Sequence, residues 1–238
     1  TIQSHAKVQG KSLLSFSDVS FGFDRNVPII SHATFEIESG QTIGVIGKTG
    51  SGKSTLAKLM MRLYDTTEGE IILKDKNIKD YTRFELNQIF GIAMQQGTLL
   101  SGTVRSNLLM ANPNATEQDM LHVLEDACAD FVLEHKKRLD LEVVEQGNQF
   151  SGGQKQRLVI ARALISHPDI LILDDSSSAL DFKTDYRLRQ NLKKSHLTTI
   201  IISQRIRSVA QCDQILVIED GRVAYQGTHE KLLKESLL

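Results

Sequence analysis

Hydrophobic and polar positions follow two patterns along this chain, and each predicts a different kind of strand. Near the N-terminal end the residues alternate. Leu14, Phe16 and Val19 lie on one run, and Ala33, Phe35 and Ile37 interleave with Thr34, Glu36 and Glu38 on the next. Such alternation predicts strands with one face buried. Later segments are mainly apolar and read as buried strands: Gln41-Thr42-Ile43-Gly44-Val45-Ile46, which ends in a glycine-rich turn, then Ile170 to Leu173, Thr199 to Ile202, and Gln214 to Ile218, with Glu70-Ile71-Ile72-Leu73 as another short strand. Between them the period lengthens. From Lys53 to Tyr64 the apolar Leu56, Leu59 and Met60 share one side, which predicts a helix. Thr116-Glu117-Gln118-Asp119 has the form of a capping box and opens a further helix through Met120, Leu121, Val123 and Leu124. Residues 93–159 read as a mostly helical insertion. Asp220-Gly221 supplies a hairpin turn before Arg222-Val223-Ala224-Tyr225. Fully apolar strands alternating with helices argue for an α/β fold with a mainly parallel sheet covered on both faces.

Composition narrows the classes. A chain of 238 residues accommodates one α/β unit with a subdomain. A formal net charge of -1 gives no electrostatic footprint for nucleic acid, and no predicted helix carries a basic stripe. Cys128 and Cys212 stand far apart and read as small buried residues of a reducing compartment. No apolar run approaches the ~18–20 residues that span a bilayer. The opening Thr1-Ile2-Gln3-Ser4-His5 lacks the apolar region of a signal peptide, and without an initiator Met it suggests a piece of a longer chain. The seven histidines show no metal spacing and receive no role.

The strongest chemical signal is Gly47-Lys48-Thr49-Gly50-Ser51-Gly52-Lys53-Ser54. It matches G-x-x-x-x-G-K-S at the end of a strand and the start of a helix, the context in which backbone amides and a helix N-terminus cradle phosphate. A chance match in a chain of this size is of order one per cent, and correct placement lowers that further. Lys53 would reach the β- and γ-phosphates, and the Ser54 hydroxyl would ligate Mg²⁺. The apolar run Ile170-Leu171-Ile172-Leu173 ends at Asp174, an acid placed to face the metal.

Two residues depart from what hydrolysis prefers. Asp175 follows Asp174 where a Glu would better reach the attacking water, and it is shorter by one C–C bond, roughly 1.5 Å. A misplacement of about 1 Å costs on the order of a hundredfold in rate. Gln204 closes the strand Thr199-Ile200-Ile201-Ile202-Ser203 where a His could serve as a charged phosphate sensor. Losing one well-placed donor costs about 10²–10³.

With the phosphate loop, Ser151-Gly152-Gly153-Gln154 and the Asp174 strand in this order, the chain from about Leu14 onward resembles the nucleotide-binding domain of ATP-binding-cassette (ABC) transporters. The SGGQ element, directly before the Asp174 strand, separates this family from kinases and GTPases, which share the phosphate loop. The resemblance implies a P-loop NTPase, RecA-like core over residues 1–92 and 160–238, with an antiparallel β part. It implies an inserted helical subdomain over 93–159 that carries the signature. Val19-Ser20-Phe21-Gly22-Phe23 resembles the adenine-stacking loop, with Phe23 where the family usually has Tyr. Thr49 and Thr55 join Gly47, Gly50, Ser51, Gly52, Lys53 and Ser54 around the nucleotide. Gln95 resembles the glutamine that touches Mg²⁺ together with Ser54 and Asp174, and that transmits to the membrane part. Ser101 to Asn107 and Val144-Glu145-Gln146-Gly147 look like exporter-type elements, and Ser178-Ala179-Leu180-Asp181 looks like the D-loop. Val144 replaces a usual Gly, and Phe150 replaces the usual first Leu of the signature but stays apolar.

In this family two such domains face each other head to tail, with ATP between the phosphate loop of one and the signature of the other. The resemblance therefore implies MgATP binding, a second nucleotide-binding domain as partner, and a transmembrane domain fused N-terminally, with the chain at the cytoplasmic face of the membrane. Asp175 and Gln204 beside a sound Ser151-Gly152-Gly153-Gln154 resemble the degenerate-site subunit of a heterodimeric exporter. Such a subunit turns over its own ATP slowly while its signature completes the partner's site. Alternatives are a homodimeric exporter with Asp175 as an adequate base, a regulatory nucleotide-binding module without hydrolysis, and a non-transport ABC ATPase acting on DNA or translation. The last would carry coiled-coil, zinc or basic features that this sequence lacks.

Overall fold

The alternating runs form antiparallel strands. The computed structural model describes residues 12–24, 27–94, 97–175 and 179–235. Their contacts divide into two units, residues 1–86 with 196–238 and residues 87–195.

In the first unit, β1 (Ser12–Phe21) pairs antiparallel with β2 (Ile30–Glu38) and with β4 (Glu68–Leu73), and β4 pairs with the short β5 (Lys76–Asn77). Along β2 the sequence alternation becomes alternating burial. Ala33, Phe35 and Ile37 are buried, while Thr34, Glu36 and Glu38 are exposed. Phe16 and Phe35, directly opposite in register, stack at 4.5 Å between ring centroids. A cross-strand aromatic pair of this kind adds about 0.5–1.5 kcal/mol beyond its burial.

Three of the more apolar runs, those at Thr42, Thr199 and Gln214, make a second sheet in the same unit, whereas Glu70-Ile71-Ile72-Leu73 joins the antiparallel one. β3 (Thr42–Ile46) lies between β10 (Thr198–Ser203) and β11 (Gln214–Glu219), parallel to both, and β12 (Arg222–Gly227) closes the edge antiparallel to β11. Every residue of β10 is buried, as a strand covered on both faces requires. The turn from β11 to β12 holds Asp220 and Gly221 at φ +45° and +77°, the left-handed pair expected of a two-residue hairpin.

The helix predicted from Lys53 to Tyr64 is shorter: α1 spans Lys53–Met60. It ends in a Schellman motif, with Leu63 N donating to Lys58 O at 2.8 Å and Arg62 N to Leu59 O at 2.9 Å. The left-handed residue there is Arg62, at φ +52°, so no glycine marks the stop. Its guanidinium offsets the strain by donating to Asp65 Oδ1 at 3.0 Å and Tyr81 O at 2.7 Å. The remaining helix of this unit is α8 (His229–Lys234), capped by Thr228.

The chain passes into the second unit within α2 (Arg83–Ile89). There β6 (Phe90–Met94) and β9 (Ile170–Asp174) pair in parallel, with Met94 opposite Asp174. The segment between them is helical, as expected: α3 (Val104–Leu109), α4 (Glu117–Asp126), α5 (Asp130–Leu133) and α6 (Gly152–Leu164). The predicted capping box of α4 is present, Thr116 accepting from Asp119 N and Asp119 accepting from Thr116 N. Not anticipated was a small antiparallel pair, β7 (Gly102–Thr103) with β8 (Glu142–Val143). After β9 the chain enters α7 (Phe182–Lys194), capped by Asp181. Among the described residues no helix is long and apolar enough to cross a membrane.

Candidate functional site

The phosphate loop leaves β3 at Ile46 and enters α1 at Lys53. Two of its three glycines are demanded by packing. A Cβ on Gly47 would collide with Ile218 O and come within 2.6 Å of Ser51 Oγ. Gly52 sits at φ +106° as the N-cap of α1, where a Cβ would lie 2.8 Å from Ile30 Cδ1. Gly52→Ala should therefore lower stability by about 1–3 kcal/mol, read as an earlier urea midpoint. An unchanged midpoint would contradict the packing argument. Gly50 stands in the open, with no heavy atom within 4 Å of the place a Cβ would occupy.

Lys53 is only 7% exposed, and its ammonium donates to Gly47 O and Lys48 O, both at 2.7 Å. A buried cation at the centre of a curl of backbone suits an anionic ligand. Ser51 Oγ adds a second sign, since it is buried and has no hydrogen-bond partner among the described residues. Thr49 and Ser54 are exposed, and Thr55 is half-buried. A loop with these features fits a phosphate chain. The oxygen donor of Ser54, at the first turn of α1, and the Asp174 carboxylate are of the kind Mg²⁺ takes.

Gln204 comes to the same loop. Ser203 is in register with Ile46, so the next residue of each strand emerges at the same end, and Thr49 Oγ1 donates to Gln204 Oε1 at 3.2 Å. With its oxygen occupied, the amide can offer N–H. The Thr49–Gln204 link was not legible in the sequence, because it depends on the register of two strands distant in the chain.

Phe23 is 73% exposed and stands perpendicular to two other rings, Phe21 and Tyr64, each at 5.3 Å between centroids. Tyr64 escaped sequence reasoning because it was assigned to the end of a helix. The Schellman stop releases it onto Phe21, which it stacks at 5.1 Å.

In the second unit, Asp174 ends β9 half-buried beyond the fully buried Ile170, Leu171 and Ile172. Asp175 follows at φ +45°, a left-handed conformation that Asp tolerates better than most residues. Gln95 and Ser178 lie outside the described residues. Gln95 directly follows Met94, which pairs with Asp174 in register.

The Ser151-Gly152-Gly153-Gln154 element forms the first turn of α6. Ser151 is the N-cap and accepts from Gln154 N at 3.2 Å, while Gln154 Oε1 accepts from Ser151 N at 2.9 Å. Two glycines here cost a helix about 1 kcal/mol each relative to Ala. Packing explains only the second of them. A Cβ on Gly153 would meet Ala179 O at 2.9 Å, whereas one on Gly152 would meet nothing nearer than Ala179 Cβ at 3.9 Å. Gly152 thus keeps the helix N-terminus bare without structural need, the condition for an anion to approach its amides. Beneath it, Phe150 packs edge-on against Phe131 at 5.6 Å, so the Leu replacement is absorbed by an aromatic pair. Arg157 lies over Phe131 and donates to Gly153 O and Cys128 O. Burial pushes the Cys128 thiol up from its ordinary range, which makes it a poor nucleophile. Asp181 caps α7, and hydrogen bonds from the Thr184 hydroxyl and amide hold its carboxyl below the usual range.

The exporter-like segments are local structures in their own right. Thr103 and Ser106 form a capping box on α3, and the buried Asn107 side chain ties Leu100 N, Leu100 O and Thr103 O together. Val144 is 49% exposed.

A family model described as ABC transporter matches residues 30–178. The chain belongs to the ABC transporter family. Among curated relatives, two proteins of Staphylococcus aureus described as multidrug export ATP-binding/permease proteins are 38% and 39% identical over 224 and 213 residues. These matches cover 92% and 88% of this chain but 39% and 37% of the relatives. Among solved structures, that of a bacterial Atm1-family ABC exporter with ATP bound superimposes with a TM-score of 0.87 at 36% identity, over 93% of this chain and 40% of that one. The chain thus spans about two fifths of the length of these ABC proteins. Its fold is the P-loop α/β fold of an ABC exporter's nucleotide-binding domain.

Proposed function

We propose that this chain is the ATP-binding domain of an ABC exporter and that it is the weaker hydrolytic half of an asymmetric pair. On this reading it binds MgATP at its phosphate loop. It dimerises head to tail with a second nucleotide-binding domain on a different subunit, and couples ATP binding and hydrolysis to a transmembrane domain at the cytoplasmic face of the membrane.

The observation that carries the reading is the contrast between two sets of residues. Lys53 and the loop glycines are intact, and α6 offers a Gly152-Gly153 start with room at Gly152. The residues that would act on water and on the γ-phosphate are Asp175 and Gln204. When bound, Mg²⁺ supplies charge neutralisation at the β- and γ-phosphates, and Ser54, Asp174 and Gln95 are the residues proposed to hold it. Lys53 orients the phosphates and Phe23 carries the adenine. Ser151, Gly152, Gly153 and Gln154 serve a nucleotide held by the partner. Asp175, one methylene short of Glu, holds the attacking water poorly, and Gln204 donates a neutral hydrogen bond where a His could carry charge.

The chain alone should bind MgATP and hydrolyse it at least ~10²-fold more slowly than the same chain mixed with a Glu-bearing partner domain. Steady-state phosphate release measures both. Brisk turnover by the chain alone would favour the homodimeric reading, with Asp175 as an adequate base. Binding without stimulation by any partner would favour the regulatory module.

A further inference from the structure

We propose that Tyr64 is a positioning residue for nucleotide binding, which sets the plane of Phe23 before the base arrives; this rests on the ATP-binding reading above. Three rings make the unit. Phe21 and Tyr64 are parallel, 8° between planes and 5.1 Å between centroids. Phe23 meets both at 5.3 Å, at 77° and 84°. Phe21 is fixed in β1 and only 6% exposed, so the stack has a rigid floor. Tyr64 is held from its own side by the Schellman stop of α1, and Lys58 Nζ lies 5.6 Å from its ring centroid.

An exposed phenyl ring without neighbours rotates about its side-chain torsions, and ordering it against a ligand costs rotamer entropy. Perpendicular contact with two parallel rings removes that freedom in advance. The edge-to-face arrangement is also the one that the ring quadrupoles favour. Phe23 retains 73% of its surface for a base. Both contacts of Tyr64 with the other two rings are made by its own ring, so the ring does the positioning.

The test compares two ligands in the protein and in three variants by calorimetric titration: MgATP, and Mg-tripolyphosphate, which has the phosphates without the base. Tyr64→Leu should weaken MgATP about three- to tenfold and leave tripolyphosphate unchanged. Tyr64→Phe should bind both as the unmodified protein does. In a Phe23→Ala background, Tyr64→Leu should cost nothing further, because the ring it positions is gone. Unchanged MgATP binding in Tyr64→Leu would overturn the inference while leaving the ATP-binding reading intact. Weakening of both ligands would also overturn it, by showing a general structural role. If the unmodified protein binds MgATP no more tightly than tripolyphosphate, base stacking on Phe23 itself fails, and with it this inference.

Discussion

Ser151→Arg in the assembled transporter should reduce ATP turnover by about 10²-fold or more, and Asp175→Asn should reduce it by less than about threefold. The difference follows from where each residue acts. Ser151 Oγ accepts from the amide of Gln154 and keeps its own hydrogen free to donate, on the proposed reading to a phosphate of the partner's nucleotide. An arginine there loses the cap, worth about 1 kcal/mol, and places a long side chain at the Gly152 start of α6. On the proposed reading Asp175 serves only this chain's own, slower site, so neutralising it removes little from the total. Measuring steady-state turnover of both variants in one membrane preparation decides the matter. Equal losses would sink the division of labour between the two sites.

A second large effect is expected at Lys53. Lys53→Met should weaken MgATP binding by about 10–10²-fold, since the ammonium, with two hydrogens held by Gly47 O and Lys48 O, would give a phosphate one charge-assisted hydrogen bond of roughly 1.5–3 kcal/mol. The same substitution should lower stability without ligand. The buried ammonium donates to Gly47 O and Lys48 O, and both carbonyls would lose that donor. Calorimetric titration and a urea midpoint, on the same sample, separate the two effects. Methionine keeps the aliphatic bulk, so a small change in binding would mean that the loop amides alone hold the phosphates.

How much of this was legible in the sequence depends on the range of the interactions. The phosphate loop and the SGGQ turn are local. Their glycines, cap and lysine lie within a few residues of one another, so spacing alone exposes them. The alternating burial of β2 and the capping box of α4 were equally readable. The stop of α1 was hidden because Arg62 takes a conformation that usually calls for glycine. Tyr64 was hidden as a consequence of that stop. The Thr49–Gln204 hydrogen bond needed the register of β10 on β3. The β7–β8 pair joins segments about 40 residues apart and only two residues long, too short for any periodicity to show.

The left-handed backbone at Asp175 bears on which acid this position favours. Asp is several-fold enriched in that conformation, a preference of roughly 0.5–1 kcal/mol over ordinary residues such as Glu. A mutation back to glutamate would lengthen the side chain yet start from a main-chain geometry that disfavours it. On the proposed reading, the main chain at Asp175 therefore adds a small, definite bias toward keeping the shorter acid.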